Sequence, residues 1–119
     1  MSVWNNTNLK RELTVLSAAL HQSAERRGFW EDGVTDDVII RKLMSAVSEL
    51  GEAYEGLRKR GLNACDEHCP ARTNFEVELA DTMIWLLDLC GALRIDIGSV
   101  LADKATFNET RGNKHGKRF

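Results

Sequence analysis

Two acidic pairs carry the chemistry that this sequence offers most plainly. Glu49 and Glu52 lie in SELGEAYE (48–55), and Glu78 and Asp81 open ELADTMIWLLD (78–88). On a helix, an i,i+3 spacing sets two carboxylates side by side with Cβ atoms ~5–6 Å apart. Like charges at that distance repel, and an ordinary surface helix interleaves lysines; here the fillers are Leu50-Gly51 and Leu79-Ala80. Taken singly, each pair also suits a solvated helix face, where most Asp and Glu reside. If the two pairs face each other, four carboxylates converge and raise one another's pKa unless a cation sits among them. A set of hard oxygen donors selects Mg²⁺, with Mn²⁺ as a substitute. A di-iron bundle would use Glu-x-x-His pairs, whereas His21, His68 and His115 all lie elsewhere.

Two neighbours sharpen the pattern. Gly51 in mid-helix costs about 1 kcal/mol, which marks it as a place of close approach. Trp85 follows Asp81 by four residues and so shares the acidic face. A second cluster, Cys65, His68 and Cys69 in CDEHC, resembles part of a zinc site, but no second Cys/His pair supplies the remaining ligands. A polar loop between helices is the better account of it. The formal charge of −2 conceals an asymmetry, because residues 104–119 carry Lys104, Arg111, Lys114, Lys117 and Arg118 against Glu109. A basic end on an acidic body serves either nucleic acid or an anionic ligand near the acids.

The elements that must position these groups read as four helices. Asn6, Thr7 or Asn8 can cap a first helix over about 8–27, with Leu9, Leu13, Leu16 and Leu20 as its apolar stripe and Gly28 after its end. Thr35 or Asp36 caps a second over 37–60, with stripe Leu43, Val47, Leu50, Tyr54 and Leu57 and Gly61 as terminator. Residues 61–74 are polar and contain Pro70, so they form a loop. A third helix over 74–93 places Leu79, Met83, Leu86, Leu87 and Cys90 toward a core, and Asp96 or Ser99 caps a fourth through about Asn108. On the helical wheel Glu49 falls just outside the apolar arc, and Glu78 and Asp81 lie nearly opposite theirs. From Arg111 the chain reads as an irregular basic tail.

Bulk features agree with one all-α domain spanning 1–119. A single proline and nine glycines in 119 residues leave long runs free of helix breakers. No apolar run approaches the ~18 residues of a membrane span. The first residues lack the basic-then-apolar order of a secretory signal, and three cysteines leave one without a partner, so reduced thiols in a cytoplasm are expected.

The order of the motifs is similar to that of the MazG-like nucleoside triphosphate pyrophosphohydrolases. Glu49-x-x-Glu52, then Glu78-x-x-Asp81, then Lys104-x3-Asn108-x2-Arg111 resembles the family's ExxE…ExxD and closing basic motif, over a stretch from about His21 to the end. The resemblance implies a four-helix, bundle-like unit that pairs as a homodimer or homotetramer, with sites near the subunit interface. It implies Mg²⁺-dependent hydrolysis of a (d)NTP to monophosphate and pyrophosphate, a house-cleaning activity. Glu49, Glu52, Glu78 and Asp81 would then hold the metal, and Lys104, Asn108 and Arg111 the triphosphate. His21 and Trp30 resemble the base-contacting pair of dCTP-preferring relatives, with Trp85 where those relatives place an aromatic. Without the resemblance, both tryptophans read as core or interface anchors and His21 as an ordinary helix residue. The other reading of the whole chain is a non-catalytic helical module that binds nucleotide or nucleic acid through its basic tail. The acidic body disfavours nucleic acid, and no membrane partner is expected.

Overall fold

The computed structural model describes residues 2–119. After a short 3-10 turn (Val3–Asn5) come helices α1 (Thr7–Arg26), α2 (Asp36–Arg60), α3 (Asn74–Ala92) and α4 (Ile97–Glu109), then a second 3-10 turn (Asn113–Gly116). The described residues contain no strand, and none of these helices is long and apolar enough to cross a membrane.

Each helix starts where its cap residue dictates. Asn6 Oδ1 accepts from the Asn8 and Leu9 amides at 3.0 and 3.1 Å, and Thr35 accepts from Val38 N. Thr73 and Glu76 form a reciprocal capping box that pins the first turn of α3. Of the two cap candidates for α4, Asp96 takes the role, accepting from Ser99 N. Asp36 and Asp37 at the start of α2, and Arg58, Lys59 and Arg60 at its end, complement the helix dipole. Gly61, at φ +82°, then turns the chain out of the helix in a conformation that side chains disfavour.

The helices pack in the order α2–α3–α1–α4, with α3 between α1 and α2 and with α4 laid on α1 and the first 3-10 turn. The radius of gyration is 16.6 Å, against the ~13.5 Å typical of a compact domain this long. The array is open.

That openness follows from which faces meet. Leu87 of the α3 stripe is buried and Leu13, Leu20 and Cys90 are half-buried, but most of the apolar residues read from the sequence lie outside the core of the single chain. Leu43, Val47, Leu50 and Tyr54 of α2 point outward, Val47 being 57% exposed, and Met83 of α3 is 58% exposed. On α1, Leu9 and Leu16 are likewise exposed. The helices instead meet through small and polar residues: Ser17 and Ala24 of α1, and Ala46 and Ala53 of α2, are buried, and Ser17 Oγ donates to the Leu87 carbonyl. A Cβ added to Gly91 would lie 2.6 Å from His21 Cβ and 2.7 Å from Ser17 O, so α1 and α3 approach closely only because glycine stands there. The true hydrophobic cluster is slight, comprising Ala24, Trp30, Val38 and Leu89 with Ile39 and Ala92 against it.

Candidate metal centre and the aromatic pocket beside it

The inward turn of the polar faces brings the acids together. Counting along α2, the inward ladder runs Val38, Lys42, Ala46, Glu49, Ala53; along α3 it runs Asn74, Glu78, Asp81, Trp85, Asp88. Glu49, Glu52 and Glu78 each present a carboxylate oxygen within 4.8 Å of the other two, the one such grouping of potential metal ligands among the described residues. Cys65, His68 and Cys69 form no such grouping, and both cysteines are exposed.

Asp81 does not join the trio. It stands one turn further along α3, facing a cavity that it shares with Phe29, Trp85 and Asp88.

The electrostatics mark the trio as a site under repulsion. No lysine or arginine among the described residues forms an ion pair with Glu49, Glu52, Glu78 or Asp81. Burial, reinforced by the neighbouring Glu49 and Glu52 carboxylates, pushes the Glu78 carboxyl up to about 7. Glu52 is raised chiefly by the adjacent Glu49 charge, and Asp81 chiefly by burial. Glu78 Oε2 is a buried acceptor with no hydrogen-bond partner. Buried oxygens are seldom left in that state, and a cation among the three carboxylates would satisfy it. The donor set consists of oxygens only, which fits Mg²⁺ or Mn²⁺.

Two hydrogen bonds tie the trio to its surroundings. Asn74 Nδ2 donates to Glu78 Oε1 at 3.3 Å and to Asp66 Oδ1 at 3.2 Å, while Arg60 donates to Asn74 Oδ1 at 2.9 Å. Asp66, itself buried, also accepts from the His68 and Cys69 amides, which folds the CDEHC loop onto the start of α3. On the other side Trp85 Nε1 donates to Glu49 Oε1 at 3.3 Å.

Beyond Trp85 the surface becomes aromatic. Phe29 and Trp85 meet edge to face with centroids 5.9 Å apart, and His21 packs edge-on to Trp30 at 5.2 Å. Asp88, only 3% exposed, accepts from Trp30 Nε1 at 2.9 Å and pairs with His21 Nδ1 at 2.9 Å. His21 and Trp30 are thus held as one unit by a residue that the sequence reading left out. Lys42 completes the group: its ammonium donates to the Phe29 carbonyl at 2.6 Å and lies 4.6 Å from the Trp30 ring centroid. Burial pushes the Lys42 ammonium pKa down, and the Asp88 charge opposes that shift.

On the far side of the acids a cleft of about 380 Å³ is lined by Glu52, Glu55, Glu78, Asn74, Lys59, Arg60 and the small Gly56, with Lys59 paired to Glu55 at 3.4 Å. Lys104, Asn108 and Arg111 are placed differently. They lie on or just after α4, which packs on α1, and no hydrogen bond or ion pair among the described residues joins them to the acids. Lys104 and Arg111 both lie over the Phe107 ring, at 4.7 and 5.9 Å. Asn108 carries the second buried oxygen without a partner, Oδ1.

Asp88, Asn74 and Lys42 were each detectable in principle. Asp88 follows Asp81 by seven residues, Asn74 precedes Glu78 by four, and Lys42 precedes Glu49 by seven, all spacings that keep a helix face. The chain matches no protein-family model, no curated protein and no solved structure.

Proposed function

We propose that the chain is a MazG-like, Mg²⁺-dependent hydrolase of (deoxy)nucleoside triphosphates, releasing the monophosphate and pyrophosphate. The observation that carries this reading is the convergence of Glu49, Glu52 and Glu78 around a buried, unpartnered Glu78 oxygen. The layout around the trio supports it: a cleft that sets Lys59 and Arg60 among the acids lies on one side and an aromatic pocket on the other. A triphosphate with its base is a ligand of that polarity.

Glu49, Glu52 and Glu78 would hold the ion, which supplies neutralisation of the triphosphate charge and Lewis acidity for attack by water. Glu52 is the exposed member of the trio, which suits it to orient the attacking water and accept its proton. As the water oxygen bonds to phosphorus, the bond to the leaving group breaks and Glu52 takes the released proton. Asp81 stands next to the aromatic pocket, where it can add negative charge toward a second cation or accept from the sugar. Trp85 fixes Glu49 through its indole N–H while presenting its ring to the base.

The outward apolar stripe of α2 and α3 is the surface on which a second copy would pack, giving a homodimer or a larger homo-oligomer. Lys59 and Arg60 are the cations that share a cleft with the acids in one chain. Lys104, Asn108 and Arg111 reach the triphosphate where assembly brings α4 alongside that cleft. Such a protein would act on the nucleotide pool of a cytoplasm.

The test is a panel of NTPs and dNTPs incubated with the protein and Mg²⁺, with pyrophosphate assayed directly. Turnover of at least one triphosphate, abolished by chelation, supports the reading. Tight nucleotide binding without turnover would replace it with a nucleotide sensor.

A further inference from the structure

Lys42 is an unusual occupant of the inward face of α2. It is 9% exposed and forms no ion pair with a carboxylate among the described residues. Its ammonium sits among three aromatic rings, 5.4 Å from Phe29, 4.6 Å from Trp30 and 5.3 Å from Trp85. A lysine ammonium has three N–H donors and no acceptor, and one donor is used by the Phe29 carbonyl. Two remain.

The cavity of about 230 Å³ in front of Lys42 has Phe29 and Trp85 as walls and Arg41, Ser45 and Asp32 at its edge. Asp32 is already engaged by Arg41 at 3.7 Å, and Ser45 donates to the Arg41 carbonyl. Asp32 and Arg41 stand on the exposed rim, so the buried polar group that a ligand meets in this cavity is the Lys42 ammonium, a donor. Trp85 both walls this cavity and bonds to Glu49, so a planar group lodged here lies one side chain from the acidic trio.

We propose that Lys42 reads the base of the nucleotide, selecting a 6-oxo purine or a 4-oxo pyrimidine over the corresponding amino base. This rests on the nucleotide reading above and adds the substrate class to it. An oxo group accepts from the ammonium. An exocyclic amino group in the same place sets donor against donor beside a buried ammonium, a mismatch that sites built around a hydrogen bond reject strongly. The aromatic walls supply stacking that every base shares, so the discrimination falls to Lys42.

The experiment compares matched pairs, ITP against ATP and UTP against CTP, by kcat/KM. It is run with wild-type protein and with Lys42→Met, which keeps the aliphatic stem and removes the donors. Binding of the α,β-imido analogues of the same four nucleotides, in which the bond to be cleaved is replaced, is measured in parallel. Wild-type protein is expected to favour the oxo member of each pair by about tenfold or more, and Lys42→Met to bring the ratio within about twofold. Equal or inverted preference in wild type overturns the assignment, and so does an unchanged ratio in folded Lys42→Met. Should Lys42→Met fail to fold, the wild-type pairs decide alone. If the imido analogues show the oxo preference while no triphosphate is turned over, the role of Lys42 stands and the hydrolase reading falls. If no analogue binds, both fall.

Discussion

Asn74 donates one amide hydrogen to Glu78 at 3.3 Å and the other to Asp66 at 3.2 Å, joining the loop of residues 61–73 to the acidic trio. The contact depends on Gly56, since any Cβ at that position would collide with Asn74 Oδ1. The loop thereby has a role that its composition does not announce: it holds a carboxylate that burial and neighbouring charge would otherwise push away.

Removing that hold should loosen the site more than the fold. Asn74→Ala is expected to weaken Mn²⁺ binding, followed by electron paramagnetic resonance, by about tenfold or more, the usual cost of losing a partner that orients a metal ligand. Gly56→Ala should act in the same direction by displacing the Asn74 amide, with little net change in stability because alanine gains about 1 kcal/mol of helix propensity over glycine. Unchanged Mn²⁺ affinity in both variants would show that Glu78 needs no help from the loop.

The pH dependence of stability has a defined sign. Glu78 titrates near 7 in the folded chain against an ordinary value of 4.5. Between those values the folded state binds more protons than the unfolded state, so stability falls as pH rises through that window. Glu52 and Asp81, also raised, add to the fall. Asp66, Glu76 and Asp96 are lowered by their hydrogen bonds, so their contribution is lost at more acidic pH, outside this window. In chelator the melting temperature should therefore decline from pH 5 to pH 7.5. Millimolar Mg²⁺ should remove most of the decline, and Glu78→Gln should flatten it.

Catalysis should fail at Glu52 without loss of structure. Glu52 is exposed, so Glu52→Gln is expected to leave the melting temperature within a few degrees of wild type. Turnover should drop about 10²- to 10⁴-fold, the range for loss of a general base. Matched circular dichroism and rate measurements on the two proteins check this.

The outward apolar stripe predicts self-association. A copy has a mass of 13.4 kDa, and analytical ultracentrifugation should find wild-type protein at twice that mass or more. Val47→Glu and Met83→Glu, which put charge on exposed positions of α2 and α3, should shift the mass toward one copy. A wild-type protein that sediments as a single copy at micromolar concentration contradicts the assembly.

Much of this was legible from spacing. The caps Asn6, Thr35, Thr73 and Asp96 and the breaker Gly61 bound the helices within a residue or so of where periodicity places them. The spacing that suggests two facing pairs is met in part: Glu49 and Glu52 lie with Glu78, while Asp81 faces the adjoining cavity. The facing of the helices was not legible. Apolar periodicity marks a face rich in apolar residues, and it does not say whether the chain folds that face inward. Here Ser17, Ala46, Ala53 and Gly91, which carry little hydrophobic signal, make the contacts inside the chain. That Lys104 and Arg111 make no ion pair with the acids is hidden for the same reason, because their place follows from α4 packing on α1.

The most direct measurement is ³¹P NMR of the products formed from a turned-over triphosphate, with Mg²⁺ and with chelator, by wild-type protein and by Glu78→Gln. The reading predicts nucleoside monophosphate and pyrophosphate from wild type with Mg²⁺, and unreacted triphosphate in the other samples. Nucleoside diphosphate and orthophosphate as products, or hydrolysis that persists in chelator or in Glu78→Gln, would contradict it.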